Sequence, residues 1–539
     1  MKTNRIYLWF VMCLTLQLSS AQITSVKHKN NKSYNIPKWE VIDVVIETKT
    51  RLKNPFVADF GATFLHENGT IQKVPGFYNG NNQWVLRFSN SLQGTWKFTT
   101  YGEDKKLRNK KGTIIVNPPK KGKHGAVTIK KNDKKFSYED GSPYFLLAFE
   151  CDWLYALDYH NNKSIPKTEH LLNLIQENGF NQVVMNVFSY DVRWKKDKEL
   201  AKHPEHEFGA PKDIFPFLGN NENPDFSSLN VDFFKKFDRT ISLMNDKEIV
   251  SHLMIYVWNK LVAWPEMYSE ADNMYFDYVI KRYQAFPNML WDISKEALYY
   301  GRADAKYIKE RIERVRKLDS YNRLLTVHDY GFCNKNPETV DFISSQDWSH
   351  NIYNKMLDAH QKFTNKPVFN IEHGGYEKSP YVVFTGNYDN AESCLRRNYM
   401  CLFAGVYTTY YWQGTSWNAM IYNPFEQPKG VYKPKFEYFK HMNQLFRNID
   451  FSQLEPMPHR NAGTYNLSTK DLSTVLLYIP KECHSMRSWI FRKDVKQRTF
   501  EWFNTLTGET QTYNGPVEGQ YYNPWQGTAD AILISKLKK

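Results

Sequence analysis

Between Tyr144 and Phe446 the sequence switches repeatedly between two hydrophobic periods, and no other property restricts its possible folds as strongly. Short apolar runs that read as strands alternate with stretches whose apolar residues recur at helical spacing. The strand-like runs are Tyr144 to Phe149, Asn181 to Val187, Glu248 to Trp258, Asn288 to Ser294 and Arg323 to Tyr330, followed by VDFISSQDW, KPVFNIE and GVYTTYYWQ. Helical spacing marks TEHLLNLIQENGF, VDFFKKFDRTISLMNDK and AKYIKERIERVRKL between them. Eight such strands over this length predict a (β/α)8 barrel, spanning 136–450. A doubly wound open sheet uses the same alternation, but no GxGxxG or phosphate-loop motif follows an early strand.

The chain has 539 residues, more than one average core holds, and its flanks read differently. From Trp39 to Val116, VIDVVIE, QWVLRFS and GTWKFTTYG alternate apolar and polar residues between Asn-Gly and Pro-Gly turns, the rhythm of a β-sandwich. That domain is expected over 36–117, and the lysine-rich stretch 118–135 after Asn117-Pro118-Pro119 reads as a basic linker. Beyond Phe446 the runs TVLLYIP, RSWIFRK, TFEWFNTLTGET and AILISKL predict a small C-terminal β domain over 457–539. The expected fold is therefore multidomain: an N-terminal β-sandwich, a central (β/α)8 TIM barrel and a C-terminal small β-sandwich.

The opening MKTNRIYLWFVMCLTLQLSSAQ sets Lys2 and Arg5 before an apolar run from Ile6 to Leu18 and then Ser19-Ser20-Ala21. This is the order of a secretory signal peptide, 1–21, cleaved after Ala21, and it predicts a secreted or periplasmic protein. The run is short for a membrane span and no later stretch is apolar enough, so no stable membrane insertion is expected. Outside the signal lie Cys151, Cys333, Cys394, Cys401 and Cys483. An odd, scattered set predicts buried thiols rather than a disulfide framework. Formal charge is +14, much of it in Lys105 to Lys111 and Lys120 to Lys135. Such charge reads either as a solvated surface or as attraction to an anionic partner. Export argues against nucleic acid and turns the second reading toward a sulfated or uronate-bearing carbohydrate.

In KPVFNIEHGGY a strand-like run delivers Glu372 at its end, where a desolvated charge costs several kcal/mol unless paired. In a parallel barrel the carboxyl ends of all strands open on the face that holds the reacting groups. NMLWDISKEALYY delivers Glu296 just past a second strand end. The two glutamates are 76 residues apart, about three βα units, which assigns them to the fourth and seventh strands. Two carboxyls facing each other across a barrel mouth are equipment for cutting a glycosidic bond. Glu372 is expected as nucleophile and Glu296 as acid/base, and a retaining reaction places them roughly 5 to 5.5 Å apart. Against this, Glu372 can be a structural carboxylate paired with His373 or a barrel lysine, and Asp292 competes for the acid role.

Other strand ends carry residue types suited to sugars: Asp152 and Trp153, Asn186, Trp258, His328 and Asp329, Gln346 with Asp347 and Trp348, His373, and Trp412 with Gln413. Aromatic faces stack on the C–H side of a pyranose, and Asp, Asn and His bond its hydroxyls. Trp412 is the expected floor of a subsite. The long segment from Ser189 to Asn230 is expected to wall one side of the pocket. Within it HPEHEFG, His203 to Gly209, has two histidines three apart but no obvious third ligand, and reads as a solvated loop. HExxH is absent, so no metal is expected; GxSxG is absent, which disfavours a serine hydrolase; and two-carboxylate chemistry calls for no cofactor.

Three stretches resemble known families. NPFVADFGATFLHENGTIQKVPGFYNG with its flanking strands resembles the uncharacterised β-sandwich found before the barrel in many secreted bacterial glycoside hydrolases. DGSPYFLLAFECDW, LWDISKEA and FNIEHGGYE resemble the apiosidase-like and cellulase-like barrels of the large retaining glycosidase clan. EWFNTLTGET is similar to a small C-terminal β domain often described as collagen-binding. The resemblance implies Glu296 as the fourth-strand acid/base, Glu372 as the seventh-strand nucleophile and Trp412 as the eighth-strand tryptophan. Where the clan often has Asn before the acid/base, this chain has Lys295, which removes a usual contact to the sugar or meets an anionic one. The implied function is a glycoside hydrolase acting on a poly- or oligosaccharide by retaining double displacement. The alternative is a non-catalytic glycan-binding or cell-surface adhesion protein on the same scaffold.

Overall fold

The computed structural model describes residues 23–538 other than 162, 192–194, 209–213, 259, 383–389, 459–463, 489, 492 and 516–519. The expected signal peptide lies outside the described residues.

The N-terminal part is two facing β sheets. One runs, in spatial order, Thr24–Lys27, Ile42–Glu47, Gln83–Phe88, Phe77–Tyr78; the other runs Ser33–Pro37, Lys111–Asn117, Gly94–Gly102, Phe60–His66, Ile71–Pro75. Two of these strands begin upstream of residue 36, where the sandwich was expected to start. The period-2 pattern works as expected: in Gly94–Gly102, Trp96 and Phe98 are buried and Lys97 between them is exposed. Phe64 and Phe88 stack across the two sheets with ring centroids 4.2 Å apart.

A buried ionic cluster joins this sandwich to the barrel. Arg87 donates from Nε and Nη2 to the Asp43 carboxylate (2.8 and 2.9 Å) and from Nη1 and Nη2 to Asp238 (3.2 and 2.9 Å). Asp43 faces Arg87 on the paired strand, whereas Asp238 sits on the barrel helix Val231–Asp246 and also receives Arg282 at 2.8 and 2.7 Å. Removing one partner of such a cluster leaves an uncompensated buried charge, at a cost of about 3–5 kcal/mol. Arg87→Met is therefore expected to lower the unfolding midpoint in urea markedly, and Arg87→Met/Asp43→Asn to recover part of the loss.

In the stretch 118–135, read from sequence as a basic linker, part of the chain is ordered against the barrel. Val127–Ile129 pairs with Phe136–Tyr138 as an antiparallel hairpin. Lys135 is buried and donates to the Leu454 carbonyl at 2.7 Å. Lys123 reaches the Asn245 carbonyl at 2.6 Å and Lys134 the His360 carbonyl at 3.0 Å. Lys130 and Lys131 do remain exposed.

The central sheet has eight parallel strands: Leu147–Glu150, Gln182–Asn186, Val250–Val257, Met289–Lys295, Leu325–His328, Ile343–Gln346, Val368–Glu372 and Tyr407–Tyr410. Numbered one to eight, they run 5-4-3-2-1-8-7-6 in space. The seam between the fifth and sixth is bridged by Thr326 Oγ1, which donates to the Phe342 carbonyl (3.0 Å), and by Asp341 N–H to the Leu325 carbonyl (2.8 Å). Every residue of Val250–Val257 and Met289–Lys295 is buried, as parallel strands covered on both faces require. Side-chain caps set the starts of the covering helices: Asn230 accepts from Phe233 N–H ahead of Val231–Asp246, and Asp304 from Tyr307 N–H ahead of Ala305–Leu318.

The C-terminal part is an antiparallel sheet in the order Glu455–Pro456, Tyr465–Ser468, Thr474–Ile479, Ala531–Leu537, Arg498–Asn504, Thr510–Tyr513. Cys151, Cys333, Cys394 and Cys401 are buried free thiols and Cys483 is a half-buried one. Among the described residues no helix is long and apolar enough to cross a membrane.

Candidate active site

Glu372 is the last residue of the seventh strand, and Glu296 follows the last residue of the fourth. The Glu296 backbone is left-handed, with φ 57°, a conformation that costs a residue with a Cβ of order 1–3 kcal/mol. The bond from Glu296 N–H to the His328 carbonyl, 3.0 Å, anchors that turn to the fifth strand. Both glutamates line one cavity of about 740 Å³ at the carboxyl ends of the strands, with Trp258, Lys260, Gln346, Trp348 and Trp417 among its other walls. A second cavity, about 570 Å³ around Tyr144, Asn181 and Tyr407, opens at the opposite ends of the strands, the face that in barrels serves stability rather than chemistry.

Glu372 sits among donors. Its Oε1 accepts from the Tyr376 hydroxyl at 2.9 Å, and Oε2 lies 3.3 Å from Lys295 Nζ and 3.5 Å from His328 Nε2. Lys295 also pairs with Glu150, the last residue of the first strand, at 3.0 Å. Burial works against the Lys295 ammonium, but Glu150, Glu372 and Asp152 outweigh it and hold the group cationic. Burial lifts the Glu150 carboxyl well above the usual carboxylate range, with Lys295 opposing. His328 is pushed well below its ordinary value by burial and by Lys295, so its approach to Glu372 is not a charge pair. Beside this cluster Lys260 lies 3.3 Å from Asp152, whose Oδ2 also accepts from Trp417 N–H at 3.3 Å. Burial pushes Asp152 up, yet Lys260, Lys295 and the Trp417 amide together bring it below the carboxylate range.

Glu296 has a different environment. Its Oε1 accepts from Gln346 Nε2 at 2.8 Å. Burial, and then the charge of Glu372, raise its carboxyl above the ordinary value. The competing acid, Asp292, is buried inside the barrel, where it meets His252 Nε2 at 2.8 Å and the His328 amide at 2.8 Å. It does not line the cavity.

Of the residues expected from sequence, Trp258, Gln346 and Trp348 stand on the cavity wall. Lys295 and His328 touch Glu372 from within the barrel. Lys295 points inward, and its charge is answered by two carboxyl groups rather than left for a sugar anion. Gly374 makes room for Trp348: its φ is +71°, and a Cβ there would lie 2.7 Å from the indole Cγ.

Four expectations are corrected. Trp153 is buried against Phe208, ring centroids 6.2 Å apart. Asn186 is buried and donates to the Asp152 carbonyl at 3.1 Å. His373, just past the end of the strand, is fully buried, with Nε2 2.7 Å from the Thr409 carbonyl. Burial and Arg397 push its imidazole down to about 3. Trp412 is fully buried and donates to the Lys378 carbonyl at 2.9 Å, so it is no subsite floor. Likewise, none of the described residues of 189–230 lines the cavity.

A third tryptophan on the cavity wall is Trp417, with φ 55° and its ring 4.7 Å from that of Tyr376. It lies in a loop past the eighth strand, where hydrophobic period carries no signal. Lys260 and Tyr300, also on the wall, lie past strand ends in the same way. Glu150 had a readable signal, since an apolar strand ends in a carboxylate at FLLAFE as it does at VFNIE. Trp417→Ala is expected to raise KM for a glycan roughly tenfold, the loss of one stacking face. Trp412→Ala is expected to lower the melting temperature instead, a core truncation costing about 3–5 kcal/mol. Steady-state kinetics and thermal unfolding of both variants check the contrast.

Residues 130–453 match the family described as apiosidase-like, catalytic domain, and residues 35–103 match a domain of unknown function (DUF5060). Among solved structures, a candidate glycoside hydrolase from Bacteroides vulgatus superposes with a TM-score of 0.74 at 19% identity, covering 94% of this chain and 100% of that one. A glycoside hydrolase family 5 protein from the same organism superposes with a TM-score of 0.57 at 16% identity, covering 77% of this chain and 94% of its own. At such identities the likeness is one of fold. No curated protein matches the chain.

Proposed function

The chain belongs to the family of apiosidase-like catalytic domains, and from that membership we propose that it hydrolyses glycosidic bonds of a poly- or oligosaccharide by retaining double displacement. The observation that carries the reading is the placing of Glu296 and Glu372 on one cavity, in unequal environments, at the ends of the fourth and seventh strands. A carboxyl raised by burial holds its proton to a higher pH, which suits Glu296 to protonate the leaving oxygen. Glu372, with Tyr376 and Lys295 fixing its two oxygens, is the group to attack the anomeric carbon. Glu296, having lost its proton, then draws one from water as that water cleaves the glycosyl ester on Glu372.

The substrate we propose is a carbohydrate met outside the cytoplasm, in keeping with the signal-like residues 1–21. If it is anionic, the cation to read it is Arg302, on the cavity wall over the Trp258 ring at 5.3 Å, rather than Lys295. The test is reducing-sugar release from a panel of plant and algal polysaccharides. The wild type is expected to release sugar, and Glu296→Gln to slow release about 10²- to 10⁴-fold, the usual worth of a general acid. The wild-type rate is expected to fall as pH rises through the raised value of Glu296. A wild type that shifts in affinity gels but releases nothing from any glycan makes the protein a non-catalytic glycan binder.

A further inference from the structure

The segment His203-Pro204-Glu205-His206 reads from sequence as a solvated loop short of a third ligand; in the structure one of its histidines is buried and a third donor stands between the two. His206 is 3% exposed. One donor atom from each of His203, Glu205 and His206 lies within 4.8 Å of the others, with Glu205 Oε1 3.3 Å from His203 Nδ1 and 4.0 Å from His206 Nε2. The missing ligand is the glutamate between the histidines.

We propose that these three side chains bind one divalent transition ion, zinc by preference. Two imidazole nitrogens and one carboxylate oxygen are a donor set for a borderline ion, whereas calcium and magnesium take oxygen. Tetrahedral bonds of about 2.0–2.1 Å place donors about 3.3 Å apart, the spacing His203 and Glu205 already have. The remaining closure falls to those two side chains, which are 43% and 46% exposed, toward a His206 that is held. His206 Nδ1 lies 2.8 Å from the Tyr381 hydroxyl. Donating a proton there leaves the lone pair on Nε2, the nitrogen nearer Glu205, which is how an outer partner prepares a ligating histidine.

The position says what the ion does. Met420 N–H donates to the His206 carbonyl at 2.8 Å, and Phe208 N–H to the Asn418 carbonyl at 3.1 Å. The triad is thus joined to the loop that carries Trp417, and through Tyr381 to the loop beyond Glu372. A bound ion fixes the 203–206 turn, and these hydrogen bonds pass that order on to the two other loops behind the cavity wall. It takes no part in bond cleavage, so the inference stands apart from the glycosidase reading.

The test uses the untagged full-length chain, stripped with chelator and titrated with zinc by calorimetry, with thermal unfolding alongside. The expected result is one zinc per chain, a higher melting temperature with zinc, and no binding of calcium or magnesium. His203→Ala and Glu205→Ala change exposed side chains, so their metal-free melting temperatures are expected to match the wild type while zinc affinity falls roughly tenfold or more. Tyr381→Phe is expected to weaken zinc in the same direction. No stoichiometric zinc binding, or zinc binding that survives both His203→Ala and Glu205→Ala, overturns the proposal.

Discussion

Glu372→Gln is expected to lower the rate of glycan hydrolysis by about 10⁴-fold or more, because an amide cannot form the glycosyl ester on which double displacement depends. The substitution keeps the volume of the side chain and an oxygen for the Tyr376 hydroxyl, now 2.9 Å away. Glycan binding should therefore persist, and affinity gels measure it on the same protein. A competing account makes Glu372 only the counter-charge of Lys295, 3.3 Å away. Glu372→Gly separates the two. If Glu372 attacks the sugar, azide entering the vacated space attacks the same carbon from the same side, and a glycosyl azide of inverted configuration accumulates. A merely structural carboxylate gives a lower melting temperature and no azide product.

Lys295→Met carries the second large effect, on stability and pH dependence together. The ammonium is buried between Glu150 and Glu372, and removing it leaves carboxyl groups uncompensated, at about 3–5 kcal/mol. Lys295→Met/Glu150→Gln is expected to return much of that stability, since replacing both members of a buried pair is far milder than breaking it. Catalysis should not return with it, because Glu372 still lacks the cation that holds Oε2. The pH profile supplies a signature that misfolding would not. Lys295 pulls the Glu296 carboxyl down against burial and Glu372, so without Lys295 that carboxyl rises further. Glu296 then keeps its proton to higher pH, and the alkaline limb of the residual rate moves upward. A limb that stays in place or moves downward contradicts a Lys295 charge acting on Glu296.

The barrel was legible because eight buried parallel strands leave continuous apolar runs, and their order in sequence is their order around the sheet apart from one seam. That Glu372 ends an apolar run and Glu296 stands just past the end of another strand is what let the sequence place both at the carboxyl ends of the strands. What failed has a common cause. Trp153, Trp412 and His373 sit close to strand ends in sequence, but which way a side chain points just beyond a strand depends on the turn, and no period describes a turn. The left-handed backbones of Glu296 and Trp417, φ 57° and 55°, carry no marker in residues that are neither Gly nor Asn. The lysines of 118–135 were only partly legible: Lys120, Lys121, Lys130 and Lys131 are exposed, whereas Lys123 and Lys134 bond carbonyls of barrel helices and Lys135 the Leu454 carbonyl just past the barrel. A long aliphatic stem lets a lysine be covered while its ammonium finds an oxygen, and one sequence does not show which lysines do so.

The most direct test follows the first-formed sugar by proton NMR while the wild-type protein digests a glycan from the panel. A nucleophilic Glu372 inverts the anomeric carbon twice, so the first anomer to appear should have the configuration of the bond that was cut, before mutarotation mixes the two. Initial release of the opposite anomer would mean that water attacks directly, and Glu372 would not be the nucleophile.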